Sequence, residues 1–192
     1  MRLFLLLLLF PISAVAQNFD LTTMPKGYSF VSIGEDARST IQYVRPDGDE
    51  YIFEETTHYN DGRIETATIH VNNASQSTFW SIKDRQTVYT PHDCGPSFGE
   101  CYYTRTNDNG TTKVKTVSRL VGDVRISDEY TWGGNEWLFW NRDCTVYDEY
   151  GFWVDYVRTY WDGDTAQGYR EQEIENRIDE LWQICEPPSA IS

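Results

Sequence analysis

The residues best suited to chemistry lie between Tyr130 and Trp161, where carboxylates alternate with aromatic rings. This stretch of 32 residues holds twelve aromatic residues, among them five of the seven tryptophans. Enzymes that hydrolyse glycosidic bonds use two carboxyl groups about 5–10 Å apart. Aromatic rings beside such a pair can stack on sugar rings. The candidate carboxylates here are Glu136, Asp143, Asp148, Glu149 and Asp155.

These carboxylates do not form an obvious catalytic pair. Asp148 and Glu149 are neighbours, and neighbouring residues on a strand point to opposite faces of the sheet. Asp143 can be neutralised by Arg158 across a hairpin. In a chain with 30 acidic residues, some fall beside tryptophan by chance. The sequence therefore favours a non-enzymatic protein and assigns no catalytic residue. The alternative is a hydrolase of polysaccharides that uses paired carboxylates in an aromatic cleft.

Other reaction classes have little support in the sequence. The cysteines are better explained as disulfides than as thiolate nucleophiles. His58 and His70 are predicted to lie about 20 Å apart along a strand pair, too far to share a metal ion. The acidic turns at 47–50 and 162–164 lack the twelve-residue calcium-loop pattern. No phosphate-binding or dinucleotide-binding glycine loop is present. We therefore predict no metal and no cofactor.

A second interpretation of the aromatic stretch is a surface on which a ligand stacks. Tyr130, Trp132 and Trp137 flank the Gly133-Gly134 turn and are the predicted ligand-binding residues. Exposed rings among Asp, Asn and Arg suit a glycan or an aromatic molecule. The competing interpretation is that these rings are core, because aromatic clusters in folded proteins are usually buried.

The elements that must position these residues are mostly β-strands. Turn dipeptides such as Asp61-Gly62 and Asn109-Gly110 separate runs rich in Val, Ile, Thr and aromatic residues. We predict a mainly β fold, an antiparallel meander that closes as a barrel or folds as a sandwich. The predicted strands are 28–33, 39–45, 50–58, 63–71, 78–83, 86–90, 100–106, 112–121, 124–132, 136–148 and 152–161.

The sequence around Gly62 predicts which residues pair across the hairpin that it forms. A three-residue loop with Gly62 in the left-handed conformation pairs Phe53 with Ile69 and Tyr51 with Val71. This register keeps the apolar residues on one face. A two-residue loop would split them between two faces, and the register with one apolar face is favoured.

Two further hairpins fall within the aromatic stretch. A two-residue turn at Gly133-Gly134 pairs Tyr130 with Trp137, and a turn at Tyr150-Gly151 pairs Cys144 with Val157. These registers predict aromatic residues on both faces of the sheet. The first face holds Val124, Ile126, Tyr130, Trp132, Trp137 and Phe139, and the second holds Trp140, Cys144, Val146, Trp153, Val157 and Trp161.

The hydrophobic period changes near the C-terminus. Apolar residues recur at three- and four-residue spacing from Ile174 to Cys185, which predicts an amphipathic helix over about 170–184. This helix would pack on the sheet and cover the second face, with Trp182 near Trp140 and Trp161.

The four cysteines predict two disulfides in an exported protein. Three pairings are possible. We favour Cys94–Cys101, which closes a short loop, and Cys144–Cys185, which fastens the helix to the sheet. Four thiolates on zinc are disfavoured because the usual Cys-x-x-Cys pairs are missing.

The N-terminus has the form of a secretory signal. Arg2 precedes the apolar run from Leu3 to Phe10, and Ala14-Val15-Ala16 resembles a cleavage site. Residues 1–16 are therefore predicted to be removed, leaving one disulfide-stabilised β domain at 17–192. We expect an exported protein, periplasmic or extracellular, with no membrane span.

The composition limits the class of partner. The net charge is −14 at pH 7, and removal of Arg2 with the signal makes it −15. Such a charge repels nucleic acid and anionic lipid. The partner is therefore predicted to be a small molecule, a glycan or a protein, and not a nucleic acid. The leading function is a binding or envelope-associated module whose ligand the sequence does not identify.

Overall fold

The computed structural model describes residues 19–73, 76–90, 99–171 and 176–185. Within these ranges the chain forms twelve strands, one α-helix and a 3-10 helix at Leu21–Thr23. The strands are β1 (Ser29–Gly34), β2 (Ala37–Asp47), β3 (Glu50–Tyr59), β4 (Ile64–Asn72), β5 (Ser77–Ile82), β6 (Arg85–Tyr89), β7 (Gly99–Asn107), β8 (Gly110–Val121), β9 (Val124–Trp132), β10 (Trp137–Tyr147), β11 (Trp153–Tyr160) and β12 (Thr165–Arg170). The helix α1 is Ile178–Ile184.

The strands form a closed antiparallel barrel. Each strand pairs with its neighbours in sequence, and β1 closes the ring by pairing with β12. Gly168 on β12 pairs with Tyr156 on β11, and an added Cβ at Gly168 would lie 2.6 Å from a carbon of the Tyr156 ring. The predicted mainly β meander with a C-terminal helix on the sheet is confirmed, and the closed barrel decides between the two predicted architectures.

The C-terminal segment differs from the prediction. We predicted a helix over about 170–184, but residue 170 ends strand β12 and α1 begins at Ile178. Residues 172–175 lie outside the described ranges. The segment Thr165–Arg170 lacks a strong strand pattern, yet β1 and β11 both supply it with backbone partners. Barrel closure therefore overrides the local sequence preference.

Two of the three predicted hairpin registers are correct. Phe53 pairs with Ile69 on β3 and β4, and Cys144 pairs with Val157 on β10 and β11. The third is wrong, because Trp137 pairs with Trp132 rather than with Tyr130. The turn there uses four residues, 133–136, and the Gly133 N–H donates to the carbonyl of Glu136 at 2.9 Å.

The predicted division of this sheet into two aromatic faces is also wrong. Directly paired residues share a face. Ile126 pairs with Cys144, and Cys144 pairs with Val157, so the three lie on one side. A bulge between Phe139 and Asn141 reverses the side to which the following residues of β10 point. This reversal explains why Cys144 shares a face with Ile126.

The helix α1 packs on the outer face of the barrel, against β10, β11 and β12. Leu181 is fully buried in a cluster with Ile126 and Val157. Trp182 Nε1 donates to Gln167 at 2.9 Å. Trp182 therefore packs over β12, and the predicted position beside Trp140 and Trp161 is not found.

A disulfide joins Cys144 to Cys185, with the two Cα atoms 5.8 Å apart, as predicted. It ties the end of α1 to β10. Cys101 is also disulfide-bonded. The predicted partner Cys94 lies outside the described residues, as does the predicted signal segment 1–16. Within the described part of the chain, no helix has the length and apolarity needed to cross a membrane.

Hydrophobic side chains fill one end of the barrel, which we call the closed end. This end carries the turns that follow β2, β4, β8 and β10. Phe53 is fully buried, and its ring centre lies 4.7 Å from that of Phe152. The buried members of the cluster are Leu21, Phe30, Ile41, Phe53 and Val71, and Tyr28, Tyr43, Tyr51, Tyr150 and Phe152 pack around them.

Asp148 holds the β10–β11 loop over the closed end. Its carboxylate accepts from the backbone N–H groups of Tyr150 and Phe152, each at 2.9 Å. It also accepts from Arg170 Nη2 at 2.8 Å and from the Tyr28 hydroxyl. Burial and this hydrogen bond to Asp148 raise the pKa of Tyr28. One carboxylate thus connects the loop, the residue just before β1 and the last strand.

Candidate functional site

A cavity of about 610 Å³ lies at the opposite end of the barrel, which we call the open end. The turns after β1, β3, β5, β7, β9 and β11 surround this end. The cavity, which we call the mouth cavity, has two tryptophans, one tyrosine, one arginine and several small polar side chains in its wall. The lining residues are Trp80, Thr87, Tyr89, Arg105, Asn107, Asn109, Thr112 and Trp140.

Strand pairing brings most of these side chains together. Trp80 pairs with Thr87 between β5 and β6, and Tyr89 pairs with Arg105 between β6 and β7. Arg105 in turn pairs with Thr112 on β8. Paired residues share a face, and these side chains all line the mouth cavity, so the row points into the barrel across four strands.

Trp140 reaches the mouth cavity from β10 because of the bulge between Phe139 and Asn141. In the bulge it has no direct partner on β9, and its carbonyl accepts the Trp161 N–H at 2.9 Å. Trp140 is 37% exposed, as expected for a ring at an entrance. The bulge therefore directs a large aromatic side chain to the open end.

Arg105 links the mouth cavity to buried groups deeper in the barrel. Its Nη1 lies 3.5 Å from Oε1 of Glu129, and the other Glu129 oxygen accepts from the Tyr103 hydroxyl at 2.9 Å. Burial raises the pKa of Glu129, while Tyr103 and Arg105 oppose the shift. Burial and the charge of Glu129 raise the pKa of Tyr103.

Two smaller cavities, of about 310 and 270 Å³, lie inside the barrel. They share Glu55, Tyr147 and Trp153 in their walls, and we call them together the inner chamber. The first also touches Asp143, Thr145, Tyr156 and Arg158, and the second is lined mainly by Phe30, Ile41, Ile69, Val71 and Phe152. The chamber is therefore polar on one side and apolar towards the closed end.

The three predicted ligand-binding residues lie together on the outer surface of the barrel. Trp132 and Trp137 pack edge to face with ring centres 5.2 Å apart. Lys115 Nζ lies 4.7 Å from the ring centre of Tyr130 and 5.4 Å from that of Trp137. Trp132 is 39% exposed. The rings form a surface cluster in which a lysine already covers part of the aromatic area.

The five candidate carboxylates are dispersed. Asp143 lies inside the barrel and binds Arg158 through both oxygens, at 2.5 and 3.0 Å. Asp155 lies under α1 and accepts the Arg177 N–H at 3.1 Å. Glu136 lies in an open-end turn, and Asp148 and Glu149 lie at the closed end. The structure does not bring these five together.

The sequence contains one further motif with a possible catalytic meaning. Residues 95–99 read Gly-Pro-Ser-Phe-Gly, the pattern of a nucleophile elbow. That elbow requires a strand before the serine and a helix after it. Here strand β7 begins at Gly99, so the structural context differs, and Ser97 lies outside the described residues.

His58 and His70 pair with Ile64 and Ile52, as the predicted register requires. His70 Nδ1 lies 2.9 Å from Glu50 at the edge of the barrel. In the described ranges, no group of three or more histidine, cysteine or acidic side chains is placed to hold a metal ion. His92 lies outside those ranges.

The mouth cavity and Glu55 were not predicted from the sequence. The alternation of side chains along strands β5 to β8 places Trp80, Tyr89 and Arg105 on one face of the sheet. This grouping could have pointed to the cavity from the sequence. It does not show which face turns inward. Comparison of the chain with protein-family models, curated proteins and solved structures finds no match.

Proposed function

We propose that this protein is a non-enzymatic binding protein that holds a small neutral ligand with a polar ring, such as a sugar, in the mouth cavity. The observation that carries the proposal is the combination of Trp80 and Trp140 with amide and guanidinium groups around one open cavity. Cavities of this size commonly hold small ligands.

The chemistry of the wall suits a sugar. A sugar ring offers a C–H face, which packs on tryptophan, and hydroxyl groups, which both donate and accept hydrogen bonds. Asn107 and Asn109 can do both, and Arg105 supplies donors. The cavity wall includes residues of both kinds within one space.

The charge around the open end argues against an anionic ligand. Each of the six turns at this end carries at least one carboxylate, and they outnumber the two cations there, Arg63 and Lys83. Fields of one sign at a cavity entrance repel ligands of the same sign. The acidic residues of these turns are Glu35, Asp36, Asp61, Asp84, Asp108, Glu136, Asp162 and Asp164.

We also propose that the protein works outside the cytoplasm, in the periplasm or the extracellular space. The N-terminal sequence supports export, and the Cys144–Cys185 disulfide is typical of proteins in oxidising compartments. A sugar-binding barrel in that compartment would meet glycans of the envelope or the medium.

Isothermal titration calorimetry with a panel of neutral oligosaccharides tests the proposal. We expect saturable binding of at least one member, and a loss of about tenfold or more in affinity in Trp140→Ala and Trp80→Ala. The control is Trp161→Ala, because Trp161 is 62% exposed and does not line the cavity.

Two results would overturn the mouth-cavity assignment. One is a folded protein that binds none of the panel. The other is a Trp140→Ala variant that binds as tightly as the parent while Trp132→Ala loses binding. The second result would move the site to the predicted outer cluster of Tyr130, Trp132 and Trp137.

The second candidate function is hydrolysis of a polysaccharide, and one observation favours it. Glu129 is a buried carboxyl group whose pKa is raised by burial, and the nearby charge of Asp143 adds to the shift. A raised pKa suits a general acid. However, Arg105 and Tyr103 engage Glu129, and Arg158 engages Asp143.

Release of reducing ends from soluble polysaccharides decides between binding and hydrolysis. A hydrolase would lose its activity in Glu129→Gln while keeping its sugar affinity. The binding proposal expects no release above a heat-inactivated control.

A further inference from the structure

Glu55 is a carboxylate on the inner face of the barrel to which the described part of the chain offers no cationic partner. It lies in the middle of β3, between Ile41 on β2 and Ala67 on β4, and faces the inner chamber. Burial raises the pKa of Glu55, and a hydrogen bond from Ser39 opposes the shift. Within the described ranges no cationic side chain pairs with it.

Three other carboxylates on the inner face of the barrel differ from Glu55 in this respect. Each has a cation within ion-pair distance, so its charge is already balanced. The pairs are Glu65 with Lys83 at 2.9 Å, Glu129 with Arg105 at 3.5 Å, and Asp143 with Arg158 at 2.5 Å. The inner chamber therefore has one carboxylate for which the described chain provides no counter-charge.

The walls of the chamber suit an organic cation. Trp153 and Tyr156 pack edge to face at 4.9 Å, and Tyr147 lies in the same wall. Aromatic faces attract positive charge, more strongly where water is excluded. Asp143 and Arg158 cancel each other, so an ionised Glu55 leaves the chamber one negative charge. A monovalent cation would bring the total to zero, whereas an anion would face Glu55.

The apolar half of the chamber adds a second requirement. Phe30, Ile69 and Phe152 line the space next to Glu55, towards the closed end. A bare metal ion or a fully polar amine would make no favourable apolar contact with this wall. A ligand with one charged end and a hydrocarbon or aromatic body would contact both halves of the chamber.

We propose that the inner chamber binds a small primary amine with an apolar or aromatic body, its ammonium group on the Glu55 carboxylate and its body against Phe30, Ile69 and Phe152. This site is separate from the mouth cavity and does not depend on the binding of a sugar there.

The test uses three probes of similar shape and different charge: 2-phenylethylamine, 2-phenylethanol and 3-phenylpropionate. Calorimetry on the oxidised protein should show saturable binding of the amine, with the alcohol and the acid weaker by about tenfold or more. This comparison uses the parent protein alone, so it does not depend on whether a variant folds.

Variants locate the site. Glu55→Gln keeps the shape of the side chain and removes its charge, and should weaken amine binding by about tenfold or more. Glu54→Gln is the matched control, because Glu54 is the exposed neighbour on the same strand. It should bind the amine like the parent.

Three outcomes with the parent protein and the Glu55→Gln variant would overturn the proposal. These are no amine binding to the folded protein, an alcohol that binds as tightly as the amine, and a Glu55→Gln variant that keeps the parent affinity. Trp140→Ala separates the two sites, since it should lose sugar binding and keep amine binding. Loss of amine binding in Trp140→Ala would place the amine in the mouth cavity and contradict the inner-chamber site.

Discussion

The two ends of the barrel use aromatic residues in opposite ways. At the closed end, Phe53 and Phe152 pack against each other and exclude solvent. At the open end, Trp80 and Trp140 line a cavity of about 610 Å³ beside Arg105. Rings packed on rings stabilise a fold, while rings that face a cavity with polar groups can bind a ligand. Aromatic content alone therefore does not identify a site.

The largest difference between the ends should appear in stability. We expect Phe53→Ala to lower the free energy of unfolding by about 3–5 kcal/mol, because it opens a cavity among side chains with little room to collapse. Trp140→Ala at the open end should cost much less, because Trp140 is 37% exposed. Urea denaturation followed by circular dichroism measures both. Equal losses would show that the open-end rings are also structural core.

A smaller effect is expected from the loop that covers the closed end. Asp148→Asn removes the charge that holds Arg170 and weakens the contacts to Tyr28 and the loop N–H groups. We expect a loss of about 2 kcal/mol in the free energy of unfolding, the usual size for charge-assisted hydrogen bonds. The matched control is Asp162→Asn in an open-end turn, where the carboxylate accepts from the Asp164 N–H at 3.2 Å.

Chemical denaturation of both variants, with the parent as reference, measures the difference. The Asp162 variant should lie within about 0.5 kcal/mol of the parent, as for most surface changes. A loss as large as that of Asp148→Asn would mean that carboxylates stabilise both ends alike.

The smallest effect concerns Glu55, between the two ends. Burial raises the pKa of Glu55 in the folded protein above its unfolded value of about 4.3. The unfolded chain therefore releases this proton at a lower pH than the folded protein does. As a result, the folded protein loses stability as the pH rises from about 4.3 through the raised pKa. Gln does not titrate. We therefore expect Glu55→Gln to be more stable than the parent at pH 7 by on the order of 1 kcal/mol, and to lose this advantage near pH 4.

Denaturation at the two pH values, with Glu54→Gln as control, measures this effect. The charged groups that share the chamber with Glu55 are Asp143 and Arg158, and both remain in these variants. An advantage of Glu55→Gln that is the same at pH 4 and pH 7 would show that Glu55 is not the titrating group.

Much of the local structure could be predicted because it depends on neighbours in the chain. The β3–β4 register follows from keeping Phe53 and Ile69 on one apolar face, and the structure has that register. The turn at Gly133-Gly134 could not be predicted in the same way. Its two extra residues, Asn135 and Glu136, are equally compatible with a turn or with a strand start, and no apolar face distinguishes the two.

The candidate sites were less predictable than the strands. The sequence drew attention to Tyr130, Trp132 and Trp137, which lie on the outer surface with Lys115 beside them. Trp80 and Glu55 lie far from this stretch in sequence and were not singled out. Their importance comes from the space that they enclose with residues of other strands.

The sequence by itself determined the strand-rich class, the local hairpins and the cysteines that fasten α1 to the barrel. These follow from alternation, turn residues and spacing, which act over a few residues. Only the tertiary structure decided which face of each strand turned inward and which end became closed. Alternation defines two faces equally well, and the choice between them is made when β1 pairs with β12 and the barrel closes. That closure places Glu55 inside the barrel, and the bulge on β10 places Trp140 at its mouth.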